Sequence, residues 1–472
     1  MEVAVVSPLV APPPASWRDE AASLLRLSGP LVGSNLLQMA IAAVDVIFVA
    51  RLGSRDLAAA TLGAFMFNLA VFALIGLTGA AAPLIAAELG RRAHAVREVR
   101  RSFRMALWVG LFCSAPVMIL LSQGEALLRL AGQDAEVSRL AGGFLWVILI
   151  GMPLAVGAGV MRTAAAALGR PGWTFLVTGL ALALDILGNW AFIYGHLGAP
   201  AMGLDGSALA NVLSFAVMTL AYAIILLCDP RLRKYRLLGY WWRLDWPRAR
   251  DVLRLGLPIA ATWTFEAGLF GGAAVLMGLI GIEEVAAHAI ALNIAAFAFQ
   301  LPFGIAQAAT IRVGMAFGAA DPQWIRRAGN VALVLGIGIM AATALIMWSI
   351  PDALIRIYLD PGRTDNEAVA TLARRFLAVA SIFQLADGAQ AVAAGVLRGL
   401  QDTRFPMIIA LFGYWAIGFG SSVWLGFFTP LAGVGVWWGL AAGLAMVAVL
   451  LAARWRARER LGLLPEAILA RS

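Results

Sequence analysis

Residues 57–87 read LAAATLGAFMFNLAVFALIGLTGAAAPLIAA, without one charged side chain. At 1.5 Å per residue a helix needs about 20 apolar residues to cross the hydrocarbon core of a bilayer, so this run is long enough to span it. It does not stand alone. Comparable runs fall near residues 23–49, 101–121, 137–166, 173–195, 204–228, 252–279, 285–316, 328–350, 372–397, 405–427 and 431–453. Their Gly and Pro content suits packed, bent helices, and the strand-length alternation of an outer-membrane barrel is absent. The expected fold is an all-α membrane protein with twelve transmembrane helices. Composition agrees, with 61% hydrophobic residues, 13% charged residues and a mean hydropathy of +0.84 over 472 residues.

The net charge of +9 follows topology rather than a nucleic-acid surface. Basic residues gather in alternate loops: Arg91, Arg92, Arg97, Arg100, Arg101 and Arg104 after the second run, and Arg231, Arg233, Lys234, Arg236, Arg243, Arg248 and Arg250 after the sixth. Arg326 and Arg327 follow the eighth, and Arg454, Arg456, Arg458 and Arg460 the twelfth. Under the positive-inside rule both termini and the loop after the sixth helix are expected in the cytoplasm. Residues 1–21, with Pro12–Pro14, read as a cytoplasmic tail rather than a signal peptide, and 456–472 as a second tail. Cys113 and Cys228 form no motif and read as buried, unpaired thiols. The histidines have no metal-site spacing, and His288 reads as a locally hydrogen-bonded core residue.

A duplication organises the chain. A shift of 228 residues pairs Leu25-Arg26-Leu27 with Leu253-Arg254-Leu255, Pro30 with Pro258, Gly53 with Gly281, and Gly90 with Gly318. A shift of 232 pairs Phe144-Leu145 with Phe376-Leu377 and Leu168 with Leu400. The expected domains are therefore two pseudo-symmetric six-helix lobes, 22–228 and 252–455, joined by a basic cytoplasmic linker at 229–251.

Four carboxylates interrupt the apolar runs: Asp45, Asp185, Glu266 and Asp387. Each would cost about 2.5–3.5 kcal/mol in lipid on insertion scales, so such residues mark an ion or substrate path. The duplication places Ala273, Ile417, Gln38 and Ala155 opposite them, so none has an acidic counterpart. Asp185 and Asn189, spaced i and i+4, share a helix face that Asp45 can join. Paired carboxylates in a dry pocket suit either coupling ion, as hard oxygen ligands for Na+ or as proton carriers.

Pro30 followed by Val44-Asp45 and Arg51-Leu52-Gly53, then Leu57–Gly63, Gly256-Leu257-Pro258 with Glu266, Ala286-Ala287-His288 with Asn293, and Phe383-Gln384 through Asp387 to Leu397–Arg404, resemble the multidrug and toxic compound extrusion (MATE) family, in its NorM-type branch. The resemblance covers about residues 22–455. It implies a monomeric two-lobe antiporter in the bacterial inner membrane that exports small cationic, amphipathic compounds in exchange for Na+ or H+, with no other cofactor. It tilts Glu266 and Asp387 towards Na+. In the family the helix carrying Asp185 more often has Asn there, a departure that points the first lobe towards proton handling.

Candidate cavity residues are Gln38, Asn68, Trp263, Phe265, Asn293, Gln300 and Phe383, since amides avoid lipid and aromatic faces hold cations. Pro30, Pro258 and Pro302 are expected to kink or hinge their helices. Glu88 reads as a solvated helix end, and Arg398, Asp402 and Arg404 as a cytoplasmic loop network. A flippase for a lipid-linked sugar or cell-wall precursor is the alternative. It would need cavity arginines, whereas the intramembrane charges read as acidic. An enzyme would need a clustered nucleophile or metal motif, which the sequence lacks, and a channel would need a ring of equivalent filter residues.

Overall fold

The computed structural model describes residues 16–91, 95–359 and 366–465. Arg92, residues 1–15 of the first tail and 466–472 of the second lie outside them. Every regular element described is helical. The first half runs α1 (Trp17–Val49), α2 (Ser54–Thr78), α3 (Ala81–Arg91), α4 (Ala95–Leu121), α5 (Gly124–Leu130), α6 (Ala135–Leu149), α7 (Met152–Ala167), α8 (Gly172–Tyr194) and α9 (Leu204–Cys228). The second runs α10 (Trp246–Ile280), α11 (Ile282–Gly318), α12 (Pro322–Ser349), α13 (Pro351–Ile355), α14 (Glu367–Gly399), α15 (Arg404–Leu411), α16 (Gly420–Phe427) and α17 (Gly433–Arg456).

Among the described residues, eleven spans are long and apolar enough to cross a bilayer, with α2 and α3 forming one of them. The twelfth is α6 with α7, bent by 49° at a short break. Gly151 caps that break and Pro153 sits in the first turn of α7, where its missing N–H costs no helical bond. The same order recurs in both halves, down to the short α5 and α13 after the third span of each. Between α15 and α16 the chain widens into a π-helix, Phe412–Phe419.

The helices run unbroken through Pro30, Pro258 and Pro302, each of which removes one intrahelical N–H donor. The chain divides into two compact units, and two of the four divisions, after residues 32 and 260, fall close to the first two prolines. Among the described residues, one unit holds 16–32, 86–91, 261–359 and 366–465; the other holds 33–85 and 95–260. Each unit therefore takes most of its own half of the chain together with one end of the other half's first helix, and the second-half unit also takes the end of α3 from residue 86.

The first of these units is centred on α14, the most deeply buried span. Glu20, fully buried at the start of α1, takes both guanidinium arms of Arg312 at 2.8 and 2.7 Å and the Trp324 indole N–H at 3.1 Å. A carboxylate so placed needs this full set of donors. In the second unit the 229–251 segment is packed down. Arg104 donates to the Tyr240 carbonyl at 3.1 Å, Trp108 to the Trp241 carbonyl at 2.8 Å, and Arg101 pairs with Asp245. Arg101 holds the Asp245 carboxyl below its ordinary range by this hydrogen bond, outweighing partial burial. Asp229 is pulled the other way by its burial, but the Trp173 indole N–H, the Arg231 backbone N–H and Arg170 bring it below the usual range.

Candidate ion and substrate site

In the unit built on the first half, Asp45 from α1 meets Asp185 and Asn189 from α8 and Asn211 from α9. The Asn189 amide nitrogen lies 2.9 Å from Asp45 Oδ1, 3.0 Å from Asp185 Oδ2 and 3.0 Å from the Asp185 carbonyl. Asn211 donates to the other oxygen of Asp45 at 3.0 Å. Asp185 and Asn189 are fully buried. The i, i+4 spacing does put them on one face, and one amide joins both carboxylates. Asp185 Oδ1 and Asn189 Oδ1 are buried without a protein partner, so two oxygens remain free for a proton or a small cation.

In the other unit, Glu266 from α10 and Asp387 from α14 share Gln390. Its amide nitrogen lies 2.9 Å from Glu266 Oε1 and 3.3 Å from Asp387 Oδ1, and its carbonyl accepts from the Tyr414 hydroxyl at 2.8 Å. Tyr414 is fully buried and sits in the π-helix. That wider turn fits against α17 through glycine: a Cβ on Gly443 would lie 2.5 Å from the Gly418 Cα and 2.8 Å from the Gly413 carbonyl. Among the described residues no three or more His, Cys, Asp or Glu side chains gather as a metal site. Both pockets are pairs of acids completed by neutral oxygens and amides.

The expected cavity residues scatter. Gln38 is exposed and accepts from Arg162 at 3.1 Å. Asn68 is exposed on α2. Asn293 and Gln300 return their amide N–H groups to their own helix, at the Ala289 and Ala296 carbonyls. Trp263 is nearly buried against Phe303, with the Arg398 guanidinium 5.9 Å from its ring centre, while Phe265 is half-buried. Phe383, 1% exposed, packs edge-on to Phe270 and Trp437 one turn from Asp387.

Several expectations are corrected. Arg162 lies inside the fourth span and bonds Gln38 and Asn35, with no acid partner among the described residues, so the intramembrane charges are not acidic alone. The signal was in the sequence: a charge inside an apolar run, the criterion that found the acids. Glu88 is buried rather than solvated, and bonds Arg91 at 3.2 Å. Asp402 pairs with Arg454, which stacks on Phe405, instead of with its neighbours in sequence. His288 is buried beside Trp437 with neither ring nitrogen bonded to protein. Both cysteines are free, yet Cys113 is half-buried and Cys228 exposed. Sequence reasoning also passed over Asn211, Gln390 and the pairing of Tyr414, because neutral polar residues are common in such spans and only the fold shows their partners.

The helical frame repeated in two halves, with an acid pair on a shared amide in each, defines a polytopic membrane protein of the two-repeat transporter architecture. The MatE family model matches it in two stretches, residues 30–191 and 258–424, whose starts are the paired prolines of the duplication. The chain belongs to the MatE family of multidrug and toxic compound extrusion transporters. It is 45% identical over 446 residues to a probable multidrug resistance protein NorM of Mesorhizobium japonicum, spanning 94% of this chain and 95% of that one. A multidrug resistance protein NorM of Burkholderia vietnamiensis is 36% identical, spanning 94% and 95%. Among solved structures, the eukaryotic MATE transporter AtDTX14 superposes with a TM-score of 0.82 at 20% identity, over 94% of this chain and 99% of that one.

Proposed function

We propose that this protein is a secondary active exporter that moves small cationic, amphipathic compounds out of the cell in exchange for Na+ or H+. The observation that carries the reading is the amide-bridged acid pair in each unit: Asp45 with Asp185 on Asn189, and Glu266 with Asp387 on Gln390. Two carboxylates on one amide, away from bulk water, require a compensating positive charge. A proton, a sodium ion or a cationic compound can each supply it. Competition among them for the same negative charge, with each favouring a different orientation of the lobes, couples the fluxes by alternating access without covalent chemistry. The multidrug resistance names of its relatives support export of drug-like compounds.

At the second pair the carboxylate oxygens are the hard ligands a sodium ion would take, while the Gln390 amide nitrogen faces both acids and its carbonyl accepts from the Tyr414 hydroxyl. The first, with an unpartnered Asp185 oxygen, suits a proton. The reading further puts the chain in the bacterial inner membrane as a monomer, with lobes 22–228 and 252–455, a linker at 229–251 and both termini cytoplasmic. The basic loops after the even-numbered spans support that orientation.

The test is ethidium flux in proteoliposomes with Na+ and proton gradients imposed separately. Flux driven by at least one gradient is expected, and the effective gradient names the ion. Flux under neither would overturn the proposal.

A further inference from the structure

The basic segment packed on α4 leaves three guanidiniums with no acid to answer them, and Tyr240 is their centre. Arg100 stacks on its ring with 4.9 Å to the centroid, Arg243 with 5.2 Å, and Arg104 donates to its carbonyl at 3.1 Å. Tyr240 holds a φ of 54°, in the left-handed region that bulky side chains seldom occupy, so packing fixes where its ring and carbonyl point. The neighbouring acids are engaged elsewhere. Glu98 accepts from Arg101 at 2.8 Å through both oxygens, Asp245 takes the Nε–H of the same arginine, and Asp251 lies 3.5 Å from Arg248. Arg100, Arg104 and Arg243 make no ion pair among the described residues. Arg104 is only 7% exposed, yet its Nε–H is buried without a partner. Three like charges gathered on one residue repel, and an anion standing among them removes the repulsion. Guanidinium forks suit phosphate for this purpose.

The same stripe of α4 continues as an aromatic ladder. Arg100, Arg104, Trp108 and Phe112 recur every fourth residue, a line about 18 Å long on one face of the helix. Trp241 stacks on Trp108 at 4.5 Å, and Trp108 on Phe112 at 5.1 Å. Trp241 and Phe112 are both exposed, as are Trp242 and Trp246 nearby in the chain. Tryptophan concentrates at the headgroup level of a bilayer, so the stripe starts among headgroups at Arg100 and enters hydrocarbon towards Phe112. Unanswered cations followed by an exposed apolar line fit a molecule with an anionic head and long apolar tails.

We propose that Arg100, Arg104 and Arg243, with the Trp241, Trp108 and Phe112 ladder, form a site for one anionic phospholipid. Its phosphate sits among the guanidiniums and an acyl chain lies along the aromatic stripe. The lipid bridges the segment at 240–243 and α4, completing a docking that Arg101 and Trp108 begin from the protein side. It is a resident of the protein's rim rather than a transported compound, and the inference goes beyond the export reading without resting on it.

The test is native mass spectrometry of the delipidated full-length protein in neutral detergent, titrated with dioleoylphosphatidylglycerol or with dioleoylphosphatidylcholine, which has the same chains and no net charge. The wild type is expected to take its first phosphatidylglycerol about tenfold more tightly than phosphatidylcholine. The double variant Arg100→Gln, Arg243→Gln is expected to bring that ratio within about twofold. The double variant Arg326→Gln, Arg456→Gln removes the same charge from exposed positions in the other unit and is expected to keep the wild-type ratio. A ratio unchanged in the first pair, or lowered equally by the second, would overturn the site. Phosphatidylglycerol is expected to stay bound in millimolar ammonium phosphate; complete displacement assigns the cations to the free ion and overturns the lipid. If the Arg100, Arg243 pair does not fold, the single variants decide. Each is expected to lower the ratio about threefold, and the wild-type ratio in both overturns the site.

Discussion

At the scale of single residues, the two halves reach one chemical solution from different positions. Asp45 and Asp185 have no acidic counterparts across the duplication, nor do Glu266 and Asp387, yet each pair ends on one side-chain amide. The acids were legible because a charge within an apolar run is an anomaly anyone can count. Their amides were not, since Asn189 announced itself only by its spacing and Gln390 by nothing at all. Glu266→Gln or Asp387→Asn is expected to cut ion-driven ethidium efflux at least about tenfold, because the neutral amide keeps the shape and loses the charge that competing cations share. Folded protein should still be recovered on gel filtration, and wild-type rates in both variants would refute the role. Asn189→Leu should behave differently. It strips the buried Asp185 and the half-buried Asp45 of a shared donor, which is expected to cost about 1–3 kcal/mol of stability as well as activity, read as a lower melting temperature in detergent.

At the scale of elements, hydropathy located every span to within a few residues at most ends, because burial in lipid selects composition over the whole length of a helix. It could not show the 49° bend between α6 and α7, the short α5 and α13, or the π-turn at Phe412–Phe419, each of which depends on a few local residues and their packing. The 229–251 stretch was read as a linker from its charge alone. Its docking on α4 through Arg101, Arg104 and Trp108 needed three-dimensional partners. Asp245→Asn tests that docking and is expected to lower stability by about 1–2 kcal/mol near neutral pH, as a partly buried charge-assisted bond is replaced. The sign with pH follows from the lowered carboxyl. Its contribution is fully present above the ordinary value of 3.8 and fades as pH falls through the lower folded value. The melting-temperature gap between wild type and variant should therefore be constant from pH 7 to about 5 and close below about 4. A gap that persists at low pH would show that the pair does not hold the segment.

At the scale of the whole molecule, the duplication leaves a mark that neither hydropathy nor the acids carry. Gly90, near the end of α3, and Gly318, at the end of α11, were paired by the 228-residue shift, and they meet in one crossing. A Cβ on Gly90 would stand 2.0 Å from the Met315 carbonyl oxygen, and one on Gly318 would stand 1.9 Å from that of Ala87. Each repeat contributes one glycine to a backbone-to-backbone contact, and both neighbours are main chain, which cannot swing aside as a side chain would. Gly90→Ala and Gly318→Ala are therefore expected to destabilise by similar amounts, about 2–4 kcal/mol each, the range of overpacking with backbone displacement. Gly271 and Gly338 provide the contrast, being helical glycines whose added methyl meets nothing within 4 Å. Alanine there should be neutral or stabilising by up to about 1 kcal/mol, from helix propensity. Thermal unfolding of the four single variants in one detergent separates the cases. Matched losses at the paired glycines with none at the open ones would trace the crossing to the ancestral repeat, and a loss at only one of the pair would show that the second repeat has moved away from it.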